Sequence, residues 1–226
     1  MRRVIRNAIA ALACTLAVTP AWAQTAARQA PRAPRGYEFT IAGTWVGPSS
    51  FGTSSADLLT PSGGDLALFS SDNSVRPGYG LEVDFGKRVT PRFAVEVSAG
   101  VTRATLRSEI SVDFEDAADV ELTESLTRFT VSGAALWTLA TKGQTTYFLR
   151  GGAGWLRELV GDGALIEDGI VGTAGGGLKF MKNGTGRRRI GLRVEGRVEM
   201  RQSGITLGED KLRFSPVLAG GLIIGF

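Results

Sequence analysis

The chain contains no histidine, and its one cysteine, Cys14, lies among the first twenty residues. Without an imidazole, catalysis of the Ser-His or His-Asp kind is excluded, because the base that such mechanisms use near neutral pH is missing. Long apolar runs are missing too. Past residue 23 no stretch approaches the ~18 consecutive apolar residues that a membrane-spanning helix needs. If the chain crosses a bilayer it does so as a closed barrel, since an unpaired sheet edge cannot be left in hydrocarbon.

The N-terminus explains part of the composition. Met1-Arg2-Arg3-Val4-Ile5-Arg6 is basic, an apolar run follows from Ala8 to Val18, and Ala21-Trp22-Ala23 precedes Gln24. This is the pattern of a secretory signal peptide, with cleavage expected after Ala23. A lipoprotein acylated at Cys14 is the competing reading, but Ala11-Leu12-Ala13-Cys14 only loosely matches a lipobox. Cleavage removes Cys14, so the remaining 203 residues have no disulfide, thiol nucleophile or cysteine metal site. It also removes three of the 26 basic residues and none of the 22 acids, which takes the formal net charge from +4 to +1. The sequence pI of about 9.6 then no longer argues for a nucleic-acid partner. Gln24 to Arg35 lack periodicity and aromatics and read as a flexible leader, and 36–226 read as one domain.

What the sequence does have is alternation. From Arg189 to Arg201, Ile190, Leu192, Val194, Gly196, Val198 and Met200 hold the even positions, while Arg193, Glu195, Arg197 and Glu199 stand among the odd ones. A period of two is a strand. The pattern recurs in segments of about ten residues, as expected for an eight-stranded antiparallel up-and-down transmembrane β-barrel with lipid outside and a polar lumen inside. The outward residues run Tyr37 to Trp45, Tyr79 to Phe85, Phe93 to Val101, Phe129 to Leu139, Tyr147 to Trp155, Ile170 to Phe180, Ile190 to Met200 and Phe214 to Phe226. Connections alternate long and short between these strands, with one loop read near Glu158 to Asp168. Small inward residues such as Gly152, Gly154, Gly175 and Gly177 are expected where a narrow barrel must make room for large neighbours.

Two stretches leave alternatives. Within the Gly/Ser/Thr/Asp-rich segment from Pro48 to Pro77, Leu66-Ala67-Leu68-Phe69 is either strand extension or a loop packed on itself. From Arg107 to Thr127 the third and fourth strands continue into an acidic outer loop, or an extra hairpin forms and makes ten strands.

With the signal peptide, eight dyad-repeat strands and a last strand ending Leu222-Ile223-Ile224-Gly225-Phe226, the chain resembles the small outer-membrane β-barrel family, the group of the OmpA transmembrane domain, OmpX and OmpW. Leu222, Ile224 and Phe226 resemble the terminal signal read by the barrel assembly machinery, although Ile224 stands where many members carry an aromatic. The resemblance implies a Gram-negative outer membrane, both termini in the periplasm, lipid and lipopolysaccharide as partners, and a monomer.

The inward charges Glu82, Asp84, Glu96, Arg150, Lys179, Arg193, Glu195, Arg197, Glu199 and Arg213 form either a structural network of ion pairs or the lining of a conduction path. An eight-stranded barrel is only wide enough for side chains to fill it, which favours the network. The acids from Glu109 to Glu124 lack the Asp-x-Asp-x-Asp-Gly spacing of a calcium loop. Arg187-Arg188-Arg189 falls at a short turn, where contact with the membrane interface is expected in place of nucleic acid. Gly151-Gly152-Ala153-Gly154 and Gly175-Gly176-Gly177 have no Walker lysine and no following helix pattern, so they are not phosphate loops. No cofactor and no metal site are expected. A lipocalin-like soluble barrel would be charged outside and apolar within. Catalysis is not expected, because the enzymatic barrels that resemble this one use a histidine. A carboxylate pair such as Glu195 and Glu199 is better read as part of the network.

Overall fold

The computed structural model describes residues 36–59, 65–111, 120–161, 165–183, 188–203 and 212–226. The signal peptide and leader over 1–35, the acids from Asp113 to Asp119 and Arg187 lie outside the described residues. The described chain is built from strands: β1 (Tyr37–Val46), β2 (Ser49–Leu59), β3 (Asp65–Val75), β4 (Gly78–Arg88), β5 (Phe93–Ser111), β6 (Val120–Lys142), β7 (Thr145–Val160), β8 (Leu165–Asn183), β9 (Arg189–Ser203) and β10 (Arg213–Gly225).

Eight of them close a ring in the order β1, β4, β5, β6, β7, β8, β9, β10 and back to β1, every pairing antiparallel. The remaining two, β2 and β3, extend strands of the ring beyond one of its ends. Val46↔Gly78 in the β1–β4 ladder and Ser49↔Val75 in the β2–β3 ladder lie in one frame, so β1 with β2 and β3 with β4 are the two arms of a single long hairpin. The arms break at Pro48 and Pro77, which have no N–H to give to a ladder. Backbone bonds from Gly47 to Pro216 (2.7 Å) and from Arg76 to Thr105 (2.8 Å) hold the wall together beside the breaks. The pairs Tyr79↔Arg103 and Val75↔Leu106 differ by one residue in register, a bulge on the proline side.

The Leu66–Phe69 segment is therefore strand extension. The alternative hairpin over Arg107 to Thr127 is not what forms, because β5 and β6 pair with each other as far as Ile110↔Val120. The loop read from Glu158 to Asp168 is a correction. β7 runs to Val160 and β8 starts at Leu165, with Glu158↔Glu167 and Arg157↔Asp168 in register. Charge in this stretch suggested a loop, yet outside the ring Arg157 stacks over Trp155 at 5.0 Å and pairs with Asp168 at 2.9 Å, a cross-strand contact that a ladder accommodates.

The two faces of the wall differ in the reverse sense to a water-soluble barrel. Ile41, Leu81, Val97, Val131, Leu149, Leu192, Val194, Leu218 and Leu222 stand exposed on the outside, while the charged residues of the same strands are buried inside. Aromatics bound this apolar band at two levels. Near the short turns Tyr37 stacks on Phe85 and Phe226 with centroids 5.7 and 6.0 Å apart, and Phe93 meets Trp137 edge-on at 6.5 Å. Toward the other end stand Trp45, Tyr79, Phe129 and Trp155. The ring is locked where its first and last strands meet, by reciprocal bonds between Tyr37 and Phe226 of 2.8 and 2.9 Å. Leu222, Ile224 and Phe226 all point outward there.

The β6–β7 turn is two residues, Gly143-Gln144, with Gly143 at φ +59°. A first turn position in that region suits the II′ hairpin turn, which glycine adopts without strain. Gly143→Ala is expected to cost about 1–2 kcal/mol, read as a lower urea midpoint for the folded barrel.

Candidate functional site

The interior is stacked in layers, and strand alternation supplies it: each odd residue of β9 from Arg193 to Arg201 points inward, so one strand contributes Arg193, Glu195, Arg197, Glu199 and Arg201. Glycines on the adjacent β8 make this possible. A Cβ on Gly175 would sit 2.6 Å from both Cα and Cβ of Arg197, and one on Gly177 would sit 2.8 Å from the same atoms of Glu195. The β9 side chains can lean across the lumen only because these neighbours have none.

In the middle layer Glu195 is the acceptor on which three guanidinium groups converge. Arg150 Nη1 and Arg197 Nη1 donate to its Oε1 at 2.7 Å each, and Arg193 donates to Oε2 from Nε at 3.0 Å and Nη2 at 2.6 Å. The opposite wall answers. Arg193 Nη1 reaches Glu96 at 2.6 Å, Arg197 Nη1 reaches Glu82 at 2.8 Å with Nη2 on its other oxygen, and Arg150 Nη2 donates to Ser98 at 2.6 Å. Ser98 in turn donates to Asp84 at 2.6 Å. Glu199 stands 3.7 Å from Arg197. Since Glu82 and Asp84 come from β4, Glu96 and Ser98 from β5 and the arginines from β7 and β9, the network ties opposite walls of the ring. Charge-assisted bonds of this kind are the strong ones.

Two further layers flank it. Toward the short turns Lys179 donates to Glu38 at 2.5 Å and Arg88 to the same carboxylate at 3.1 Å. The Phe148 ring lies beneath Lys179 and Arg193, 5.3 and 5.1 Å from its centroid, and packs with Leu136 and Ala134. Toward the other end Arg128 grips Glu158 through Nε at 2.8 Å and Nη2 at 2.5 Å, and Arg201 contacts Glu158 at 3.3 Å, Ser49 at 3.1 Å and Ser215 at 2.6 Å. An apolar cluster of Val75, Leu106, Leu126 and Val160 covers this layer. Cavities among these side chains measure about 10 and 20 Å³, about the space of one water molecule each.

Of the residues singled out in the sequence, Glu82, Asp84, Glu96, Arg150, Arg193, Glu195, Arg197 and Glu199 meet in the middle layer, and Lys179 belongs to the layer below. Arg213 is half-buried at the start of β10, beside Arg201 in register, at the edge of the upper layer. Sequence reasoning missed Glu38, Arg88, Arg128, Glu158 and Arg201 as network members. Parity alone would have marked Glu38, Arg128 and Arg201, since each lies on the inward face of a strand. Glu158 was hidden in the supposed loop. Among the described residues no three carboxylates converge in the manner of a metal site. Each carboxylate of the middle layer lies within 4 Å of a guanidinium, an arrangement that fixes the walls relative to one another.

No protein-family model matches the chain, and no curated protein matches it. Solved structures with a similar course include the outer membrane protein OprG from Pseudomonas aeruginosa, at 15% identity over 85% of this chain and 96% of that one, with a TM-score of 0.48. Neisserial surface protein A follows at 12% identity, 83% and 97% coverage and 0.47. The outer membrane protein AlkL, solved in DMPC bilayers, gives 14% identity, 89% and 94% coverage and 0.42. At such identities and scores the likeness is one of chain course and says nothing of what this chain binds.

Proposed function

We propose that the chain is a non-enzymatic outer-membrane β-barrel protein of a Gram-negative envelope, closed through its lumen and acting through its wall and its longer loops in envelope integrity or surface interaction. The observation that carries this reading is the middle layer: guanidinium and carboxylate groups from four strands join across the lumen, and the cavity between Glu82, Arg150, Arg197 and Glu199 measures about 10 Å³. The apolar, aromatic-bounded exterior supports the placement in a bilayer. On this reading the signal peptide is removed after Ala23 and the barrel stands as a monomer. Its partners are outer-membrane lipid, lipopolysaccharide and, during insertion through Leu222, Ile224 and Phe226, the barrel assembly machinery.

Conductance of the refolded protein in a planar bilayer is the direct test, with heat-modifiable gel mobility to establish that the barrel has formed. A folded barrel should give no reproducible current steps. The second reading, a narrow channel for small solutes or amphiphiles, has one observation in its favour, the recurrence of buried charge in three layers along the lumen. It requires discrete steps that change when Arg193 or Arg197 is neutralised, and such steps would displace the closed reading.

A further inference from the structure

The short-turn end of the ring holds a cavity of about 140 Å³ outside the ion-paired middle, lined among others by Glu38, Arg88, Lys179, Arg189, Thr146 and Gln144. Among the described residues that line it, Glu38 is the one carboxylate and stands against three cations. Those cations have donors to spare. Lys179 spends one of its three on Glu38 and Arg88 one of its five, while Arg189, the first residue of β9, makes no ion pair with a described side chain. The three come from β4, β8 and β9, so they face the cavity from different parts of the wall, with the Thr146 hydroxyl and the Gln144 amide beside them.

We propose that this vestibule is a binding site for a phosphomonoester dianion. The net charge of the lining is +2, which a dianion neutralises, and guanidinium groups bind phosphate oxygens through paired donors. A volume of 140 Å³ takes a phosphate group with a few waters but not a large headgroup. The neighbouring middle layer does not use these donors, since its arginines pair with Glu82, Glu96 and Glu195. The site needs only the closed ring, and it stands whether the lumen beyond it is plugged or conducting. The described chain ends, Tyr37 and Phe226, meet at this end of the ring, so on the proposed outer-membrane reading, with both termini in the periplasm, the ligand arrives from that side, either as a free phosphomonoester or as a lipid phosphate at the inner leaflet.

The test is calorimetric titration of the folded protein in octyl glucoside micelles with glycerol phosphate near pH 8, where a phosphomonoester is fully dianionic, with acetate and chloride as charge controls. Saturable binding is expected for glycerol phosphate and not for the controls. Arg189→Gln, which leaves both ion pairs of Glu38 in place, should weaken it about five- to tenfold. Gln144→Glu, a change at an exposed turn, should abolish it, while Arg107→Gln at the opposite end should leave it unchanged. Phosphatidylcholine vesicles with and without phosphatidic acid then separate the sources: competition by phosphatidic acid assigns the site to a lipid headgroup, and indifference to it assigns the site to a soluble phosphomonoester. No saturation with glycerol phosphate, or equal weakening by Arg107→Gln and Arg189→Gln in proteins that keep the folded gel mobility, overturns the proposal.

Discussion

Glu195→Ala is expected to cost the folded barrel about 3–5 kcal/mol, the range for removing one partner of a buried ion pair. The size follows from what is left behind. Three guanidinium groups donate to this carboxylate, and arginine cannot shed its proton to escape the loss. Arg150 and Arg197 keep Glu82, and Arg193 keeps Glu96, so the middle layer loses its centre and retains its edge. Glu199→Ala tests the same logic at lower stakes. Its carboxylate stands 3.7 Å from Arg197, beyond hydrogen-bond range, so its removal takes no hydrogen bond from a guanidinium and the loss should be well below that of Glu195→Ala. Urea midpoints read from heat-modifiable mobility in one lipid system would rank the two. If Glu195→Ala fell within 1 kcal/mol of the parent, the convergence of three arginines on it would contribute nothing that solvent entering the lumen could not replace. A double-mutant cycle on Glu96 and Arg193 would isolate one arm of the network, because Glu96 accepts a bond from Arg193 at 2.6 Å across the lumen.

How far the sequence carries toward this site can be judged residue by residue. On β9 it carries all the way: alternation alone places Arg193, Glu195, Arg197 and Glu199 on the inner face, and the structure buries each of them. It stops at partnership. That Glu195 receives Arg150 while Glu96 receives Arg193 depends on ring closure and on the stagger of β5 and β7 against β9, and neither is written into a period of two. It stops again where composition imitates a loop. The stretch from Ser49 to Val75 is rich in serine, threonine, glycine and aspartate and lacks a sustained apolar face, so the pattern that marks the other strands is absent. Its pairing is inherited from the frame of β1 and β4, and Pro48 and Pro77 punctuate a hairpin they do not end. The charges around Glu158 misled for a related reason. A buried Glu158 gripped by Arg128 and an exposed Arg157 paired with Asp168 look alike in sequence, since each is simply charge near a strand end.

Glycine is where identical residue types should diverge most. Gly177→Val is expected to prevent closure of the barrel or to cost on the order of 3 kcal/mol or more, at or beyond the upper end for overpacking a filled interior. An added Cβ there would stand 2.2 Å from the carbonyl oxygen of Val194 and 2.8 Å from the Cα of Glu195, and these are backbone atoms of a central strand that cannot swing aside. Relief would have to come from separating β8 and β9, which would pull Glu195 away from Arg150. Gly133→Val, on β6, carries the same chemical change on the outer face, where nothing lies within 4 Å of the new Cβ. It should be neutral or stabilising by up to about 1 kcal/mol, because valine suits an extended backbone better than glycine and its side chain joins the apolar band. Both variants refolded side by side and followed by gel mobility give the contrast directly. Equal tolerance of the two would mean that β8 and β9 are not packed as closely as these distances require, and the layered filling of the lumen would lose the feature that lets β9 lean across it.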